Sequence, residues 1–229
     1  MFLSGYGPVL LEGTWMTIQL ALLSLLLSIL IGLIGASSKL SSLKIVRNIA
    51  TVYTTLIRSV PDLVIMLLMF YSLQLGLNSI TESLNMDQID INPFVAGVIT
   101  LGFIYGAYFT ETFRGAFQAV PKGQMEAAFA YGMTPLQVFR RVLFPQMMRF
   151  ALPGIGNNWQ VLIKATALVS LIGLTDIVKI TQDAGRSTMD VFYFSVIAAV
   201  IYLAITTVSN LILMWLERRY SVGVKKGQL

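Results

Sequence analysis

The stretch VPKGQMEAAFAYGMTPLQVFRRVLFPQMMR, residues 120–149, is a polar segment between two strongly hydrophobic runs. Gly123 is expected to break the chain, and residues 124–131 contain good helix formers. Gly132 can adopt the left-handed conformation that ends a helix. A helix start signal follows in Thr134, Pro135 and Gln137. The stretch therefore predicts two short helices joined by a tight turn.

The amino-acid composition of the whole chain indicates a membrane protein. Of 229 residues, 56% are hydrophobic and 12% are charged, which is more apolar surface than a soluble domain of this length could bury. We expect one transmembrane domain over residues 1–229. The lack of cysteine and histidine excludes disulfides, thiolate metal sites and imidazole catalysis. The net charge of +5 comes from short basic clusters beside apolar runs, which is typical of membrane-helix flanks and not of nucleic-acid binding.

Several stretches are long and apolar enough to cross a bilayer, since about 20 helical residues span the hydrocarbon at about 1.5 Å per residue. They are the five stretches 14–36, 52–77, 94–117, 150–174 and 191–216. The first and the last carry no charge, whereas the second contains Arg58, Pro61 and Asp62 in its first half. Pro61 is expected to kink or start a helix.

The charges between these spans predict the orientation of the chain. Residues 37–51 carry three bases and no acid, whereas residues 78–93 carry three acids and no base. Residues 120–149 and the tail, with Lys225 and Lys226, are also basic, and the loop 175–190 is mixed and slightly acidic. Because basic loops stay in the cytoplasm, we expect an outer, periplasmic N-terminus and a cytoplasmic C-terminus.

Charged residues inside apolar runs are candidate functional residues. Glu111 and Arg114 are three residues apart on one helical face, and Glu111 lies roughly 25 Å from the outer start of its span by helix rise. A structural ion pair is therefore favoured over a ligand site. Arg58 and Asp62, four residues apart around Pro61, favour the same interpretation.

Lys164 lies in the middle of the fourth predicted span, with no neighbouring acid in its own helix. A lone ammonium at such depth costs at least about 2.5 kcal/mol unless it faces a wet cavity or an acid on another helix. Pore lining or inter-helix pairing is therefore favoured over snorkelling. Asn157, Asn158 and Gln160 precede it, and their amides either line a translocation path or bond neighbouring helices.

Spaced positions in the stretch 120–149 match a family pattern: Glu126, Ala127 and Ala128, then Gly132 after three residues, then Val142, Phe144 and Pro145 after nine more. This spacing resembles the EAA loop of permease subunits in ABC importers, where Ile and Leu stand in place of Val142 and Phe144. The flanking texts GAYFTETFRGAF and LPGIGNNWQVLIKATALVSLIGLTDI resemble the polar amino acid branch, particularly the histidine/lysine/arginine/ornithine permease subunits. The resemblance covers nearly the whole chain.

The resemblance implies a fold, partners and a mechanism. The fold is the all-α type I ABC importer permease fold, with five transmembrane helices and a cytoplasmic EAA helix pair that docks on an ATPase. The coupling residues are then Glu126, Ala127, Ala128, Gly132 and Pro145. A second similar permease subunit, an ATPase dimer and a periplasmic binding protein would complete an importer of basic amino acids in the bacterial inner membrane. The chain has no glycine-rich phosphate loop, so ATP and Mg²⁺ are expected on the ATPase and no cofactor on this subunit.

A cationic amino acid would need acids or carbonyl oxygens for its side chain and donors for its carboxylate. Asp62 and Glu111 are the charged acceptors embedded in apolar runs, so they are candidate contacts. Asn157, Asn158 and Lys164 complete the candidate substrate path. Lys164 would repel a cationic side chain, so it either pairs elsewhere or meets the carboxylate.

Two other classes of protein stay open from the sequence. An ion-coupled carrier commonly has paired repeats and discontinuous helices, which this sequence does not show. A non-transporting membrane scaffold would use the segment 120–149 as an interfacial helix pair. An enzyme is not expected, because without histidine or cysteine no recognisable nucleophile and base pattern is left.

Overall fold

The computed structural model describes residues 5–220, and its regular elements there are all helical. The helices are α1 (Gly7–Leu40), α2 (Lys44–Ser59), α3 (Asp62–Ser83), α4 (Pro93–Ala119), α5 (Lys122–Ala130), α6 (Pro135–Val138), α7 (Phe144–Ala165), α8 (Ile177–Ser187) and α9 (Val191–Tyr220). A π-helical turn, Phe139–Leu143, joins α6 to α7, and a 3₁₀ segment, Thr166–Ile172, follows α7. Lys225 and Lys226 of the basic tail lie outside the described residues.

The predicted all-α membrane architecture is confirmed. Four helices are each long and apolar enough to cross a bilayer, namely α1, α3, α4 and α9. A further candidate crossing, the fourth in chain order, is a bent pair in which Pro135–Ile172 and α8 meet at an angle of 58°.

The second predicted span, 52–77, has the wrong boundaries. Helix α2 ends at Ser59, Val60 is extended with ψ of 140°, and α3 begins at Asp62 with Pro61 as its N-cap. Proline has no amide hydrogen and disfavours the helical conformation in the preceding residue, which explains the break. The crossing is therefore α3 alone, and α2 is a separate helix of which only Ala50 and Thr54 are buried.

The centre of the bundle is the contact between α1 and α4. Gly102 and Gly106 of α4 lie against Leu27 and Ile31 of α1, and a Cβ at these glycines would stand 2.5 Å from Leu27 Cδ2 and 2.6 Å from Ile31 Cγ2. Gly32 of α1 lies against α4 in the same way. Small residues four apart let two membrane helices approach closely, so α4 becomes the central helix of the bundle.

The predicted outer loop, 175–190, is wrong as a loop because most of it forms α8. Ile177, Ile180 and Ala184 are buried on one face at helical spacing, and the charged residues between them concealed this pattern. Asp176 is fully buried and caps α8, accepting a hydrogen bond of 2.9 Å from the Lys179 amide.

Candidate functional site

The turn between α5 and α6 is built as the residue types predict. Gly132 has a φ of +75°, and its amide donates to the Phe129 carbonyl over 2.9 Å. The Gln137 amide donates to the Thr134 hydroxyl over 3.4 Å, and the Thr134 amide donates to the Gln137 side-chain oxygen over 2.9 Å. Pro135 occupies the first turn of α6. A left-handed glycine and a reciprocal capping box thus hold the turn.

The expectation that Gly123 breaks the chain is wrong. Val120 and Pro121 form the break, both in extended conformations, and Gly123 lies in the first turn of α5. The first amides of a helix have no intrahelical partner, so the proline sets the start of α5 and the glycine is tolerated behind it.

The second helix of the pair is not a separate short helix. Helix α6 continues through the π-helical turn into α7 without a break. In that turn the Phe144 amide donates to the Phe139 carbonyl, five residues earlier. Pro145 follows directly, and its ring would clash with the carbonyl of Arg141 in a regular α-helix. The wider turn removes this clash, so the segment that includes α6 is the beginning of the fourth crossing.

The surface of this turn is apolar and uncovered. Glu126 and Ala127 are exposed, and beside them Tyr131 is 87% and Leu136 66% exposed. Phe129 is exposed as well. We call these five residues the turn surface. Exposed apolar side chains next to one another mark interaction sites.

Buried small residues fix the turn surface to the bundle. Ala128 is 5% exposed and Val138 is 3% exposed, so one side chain from each arm of the turn points inward. The Gln146 amide nitrogen of α7 lies 3.4 Å from the Gln124 side-chain oxygen of α5. The two arms and α7 therefore form one connected unit.

Glu111 holds a network of charges at the end of the bundle next to α5. Arg114 Nη2 lies 2.8 Å and Arg114 Nε 2.9 Å from Glu111 Oε2, which confirms the predicted structural ion pair. Lys39 Nζ pairs with the other carboxylate oxygen and also donates to the Thr54 hydroxyl over 2.8 Å. The carboxylate therefore connects α1, α2 and α4.

Sequence reasoning missed Lys39, which it assigned to a basic loop. Lys39 lies in the last turn of α1, so it reaches the same depth as Glu111 near the end of α4. Two signals were available in the sequence. One is a carboxylate with an arginine three residues away, and the other is a cation just after the first predicted span. Spacing along one helix could not show that they meet.

The predicted pairing of Arg58 with Asp62 is wrong. Asp62 Oδ2 accepts a hydrogen bond of 3.0 Å from the Tyr105 hydroxyl, and the Arg58 guanidinium lies over the Tyr108 ring, 5.4 Å from its centre. The break at Pro61 turns the two residues away from the helical spacing that would let them meet. Two tyrosines of α4 bind them instead.

The amides of α7 point in two directions. Asn158 is buried and donates to the Thr112 hydroxyl of α4 over 3.0 Å, whereas Asn157 is exposed. Lys164 lies about two turns beyond Asn157, near the end of α7, and it is also exposed. Within residues 5–220 Lys164 forms no ion pair. The structure thus separates a structural amide, Asn158, from an uncovered polar face with Asn157 and Lys164.

The candidate residues form two groups. Glu126, Ala127, Ala128 and Gly132 come together at the turn, with Pro145 behind them at the start of α7. Asp62 at the start of α3 contacts α4 through Tyr105, whereas Glu111 lies in α4 and binds Lys39 and Arg114. Asn157 and Lys164 lie on the open face of α7.

Comparison with known proteins identifies this arrangement. The family of binding-protein-dependent transport system inner membrane components matches residues 12–222. The chain belongs to this family. The permease is 64% identical to the histidine/lysine/arginine/ornithine transport system permease protein HisQ of Salmonella typhimurium, over 99% of this chain and 100% of that protein.

Solved structures share its fold. A crystal structure of an amino acid ABC transporter with histidines has a chain that is 34% identical, with a TM-score of 0.78, covering 93% of the permease and 95% of that chain. An inward-facing MetNI methionine ABC transporter matches with a TM-score of 0.69 over 92% of the permease and 97% of that chain. The latter is 17% identical and shows the fold alone. The permease is therefore a membrane-integral transport subunit.

Proposed function

We propose that this permease is the membrane-spanning subunit of an ABC importer that carries the basic amino acids histidine, arginine, lysine and ornithine. The observation that carries the proposal is the 64% identity to HisQ over 99% of this chain and 100% of that protein. All of its 229 residues then belong to one transmembrane domain.

The turn surface is the contact with the ATPase in this proposal. It combines an acid, a small residue and uncovered apolar side chains on a turn that is rigidly capped. Ala127 is small enough for a partner to approach the helix closely, and Glu126 can bond the partner at the rim. Gly132 shapes the turn, Ala128 anchors it, and Pro145 sets the junction with α7. ATP and Mg²⁺ are held by the ATPase and not by this chain.

The uncovered surfaces of α3 and α9 support a second permease subunit as a partner. In its membrane-spanning window α9 has no buried residue, and α3 has few, so much of their surface is open in a single chain. Lipid covers part of it, and a second similar permease subunit covers the rest and encloses the path. A periplasmic binding protein delivers the amino acid, and the subunit lies in the bacterial inner membrane.

The path for the substrate runs along the open face of α7. Asn157 and Lys164 face this space and supply donors for a carboxylate. On the buried side of α7, Asn158 holds this helix to α4 through its hydrogen bond to Thr112. Asp62 at the start of α3 and Glu111 of α4 flank the path, and their carboxylates would have to be shared between their present partners and a passing cation.

In the proposed orientation the N-terminus is outside and the turn surface is in the cytoplasm. Closure of the ATPase pair on ATP would then move α5 and α6, and α7 would transmit the movement to the path. Only a difference in affinity of the ATPase for the two arrangements is needed to shift their populations.

A complementation experiment tests the proposal. In a Salmonella typhimurium strain that lacks HisQ, this permease should restore uptake of arginine, lysine, ornithine and histidine. Uptake should depend on ATP and survive an ionophore. The variants Glu126→Lys and Gly132→Asp should reach the membrane but neither restore uptake nor retain the ATPase on purification. Restored uptake that an ionophore abolishes, or that both variants retain, would contradict the proposal.

A further inference from the structure

A cleft of about 450 Å³ lies between α7 and α9, outside the groups of residues described above except for Asn157. One end of the cleft is formed by Gln160 of α7 and Asn210 of α9, which are hydrogen-bonded to each other. The other end is formed by Glu217, in the last turns of α9. Asn210 and Glu217 are separated by about 10 Å along the helix axis.

The wall between these polar ends is apolar. Leu213 and Met214 line it from α9, and Pro153 and Gly156 line it from α7. Gly156 lets the helices approach, since a Cβ there would stand 3.2 Å from Leu213 Cδ1. A ligand that fits this cleft has two polar ends and an aliphatic stem.

The end near Asn210 offers both donors and acceptors. Gln160 donates through its amide nitrogen to the Asn210 side-chain oxygen, which leaves the Gln160 oxygen and the Asn210 amide nitrogen available. Asn157 adds a further side-chain amide at the cleft, with no hydrogen-bond partner in the part of the chain that the structure describes. This combination suits an ammonium and a carboxylate on the same carbon.

The other end offers a carboxylate without a cation. Glu217 forms no ion pair within residues 5–220. Two arginines in this region lie over aromatic rings instead, Arg219 at 5.8 Å from the Trp215 centre and Arg149 at 5.5 Å from the Phe150 centre. Glu217 is half-buried and lines the cleft, so a cationic group that enters the cleft can reach the exposed part of its side chain.

Pro153 adds an acceptor to the same region. It lies inside α7 and has no amide hydrogen, so the carbonyl of Arg149 has no helical donor four residues ahead. Among the residues that line the cleft Glu217 carries the charge, which favours a ligand with a positive group.

We propose that this cleft is a binding subsite for an amino acid with a long cationic side chain. The α-carboxylate binds the Asn210 amide nitrogen, the α-ammonium binds the oxygens of Gln160 and Asn157, and the methylenes lie along Leu213 and Met214. The terminal guanidinium or ammonium pairs with Glu217. An uncharged side chain leaves Glu217 unpaired, so Glu217 favours cationic side chains at this subsite.

The inference rests on the proposed function and refines it. It places a subsite that selects charge near the end of the permease that faces the cytoplasm, after the open face of α7. Glu217 then acts on the later part of the path, where it raises the affinity for arginine, lysine and ornithine over neutral histidine.

The test uses the assembled transporter in proteoliposomes with saturating binding protein, at pH 8. There most histidine has a neutral side chain, since its ordinary pKa is about 6.5, whereas arginine stays cationic. Glu217→Gln should lower the maximal rate of arginine transport about fivefold and change that of histidine less than about twofold. Glu217→Asp should preserve the wild-type ratio of the two rates. Glu82→Gln, at an exposed acid between α3 and α4, is the matched control and should change neither rate.

A second variant tests the cleft without touching charge. Met214→Trp places a larger side chain on the apolar wall and partly fills the cleft, so it should slow the transport of both arginine and histidine. Equal loss of arginine and histidine transport in Glu217→Gln, or no loss of either, overturns the subsite, as does unchanged transport in Met214→Trp. A wild-type transporter that carries no basic amino acid would instead overturn the proposed function.

Discussion

Lys39 in the last turn of α1 forms an ion pair with Glu111 near the end of α4, although the two residues are 72 positions apart in the chain. Arg114 binds the other oxygen of the same carboxylate. The side chains of Lys39 and Glu111 are 12% and 18% exposed. One acid therefore pairs with two cations and fastens the helices at the end that bears the turn surface.

Glu111→Gln should destabilise the permease by about 2 kcal/mol, because it leaves Lys39 and Arg114 facing each other without an anion. Unfolding of the solubilised protein measures this loss. The double variant Lys39→Met with Glu111→Leu should recover more than half of the loss, since apolar replacement of a buried pair is close to neutral. Arg114 loses its anion in this variant too, but its side chain is 34% exposed and it keeps the hydrogen bond to Gln118. A double variant that is as unstable as the single one would contradict a stabilising role for the pair.

Tyr105→Phe should cost about 1.5 kcal/mol of stability, because it removes the hydroxyl that donates to the Asp62 carboxylate over 3.0 Å. Tyr108→Phe is the matched control. Its hydroxyl donates no hydrogen bond to a residue among those that the structure describes, and the ring beneath Arg58 is kept. Equal losses in the two variants would contradict a specific stabilising role for the hydrogen bond between Tyr105 and Asp62.

Gly132→Ala should weaken retention of the ATPase, because a side chain at φ of +75° costs about 1 kcal/mol. No atom lies within 4 Å of the added methyl, so the cost comes from the backbone and not from a clash. Gly132→Asn should retain more ATPase, since asparagine tolerates this conformation. Gly123→Ala, where the backbone is helical and the space is also open, should have no effect. Retention that is the same for alanine and asparagine would contradict this explanation.

Single cysteines test the orientation, because the sequence contains none of its own. Thr134→Cys at the turn between α5 and α6 should react with an impermeant thiol reagent only from the cytoplasmic side. Met86→Cys, at an exposed site between α3 and α4, should react only from the periplasmic side. Labelling of both positions from one side would exclude the proposed arrangement of the chain.

The sequence predicts the local features of the turn well. Gly132, Thr134, Pro135 and Gln137 each act through their nearest neighbours, and their capping and turn geometry follows from chemistry that is the same in any chain. The apolar length of α1, α4 and α9 is likewise a local property, so their positions could be read directly from the residues.

Features that depend on distant contacts could not be predicted in the same way. The partner of Glu111 and the partner of Asp62 both come from other helices, because the break at Pro61 separates Asp62 from Arg58 and places it beside Tyr105 of α4. Helix α8 was not predicted, because the charged residues of this segment are typical of a loop and mask the helical spacing of its buried face. The continuation of α6 into α7 depends on one widened turn before Pro145. No pattern of residue types in the sequence predicted this turn.

That continuation has a mechanical consequence. From Pro135 to Ala165 the backbone is one helical rod, about 45 Å long by helix rise. One end of the rod carries part of the turn surface, and the other end carries Lys164. A tilt of one tip therefore displaces the opposite tip to the extent that the turn at Pro153 stays stiff, so a push on the turn surface can travel along the backbone without any relay of side chains.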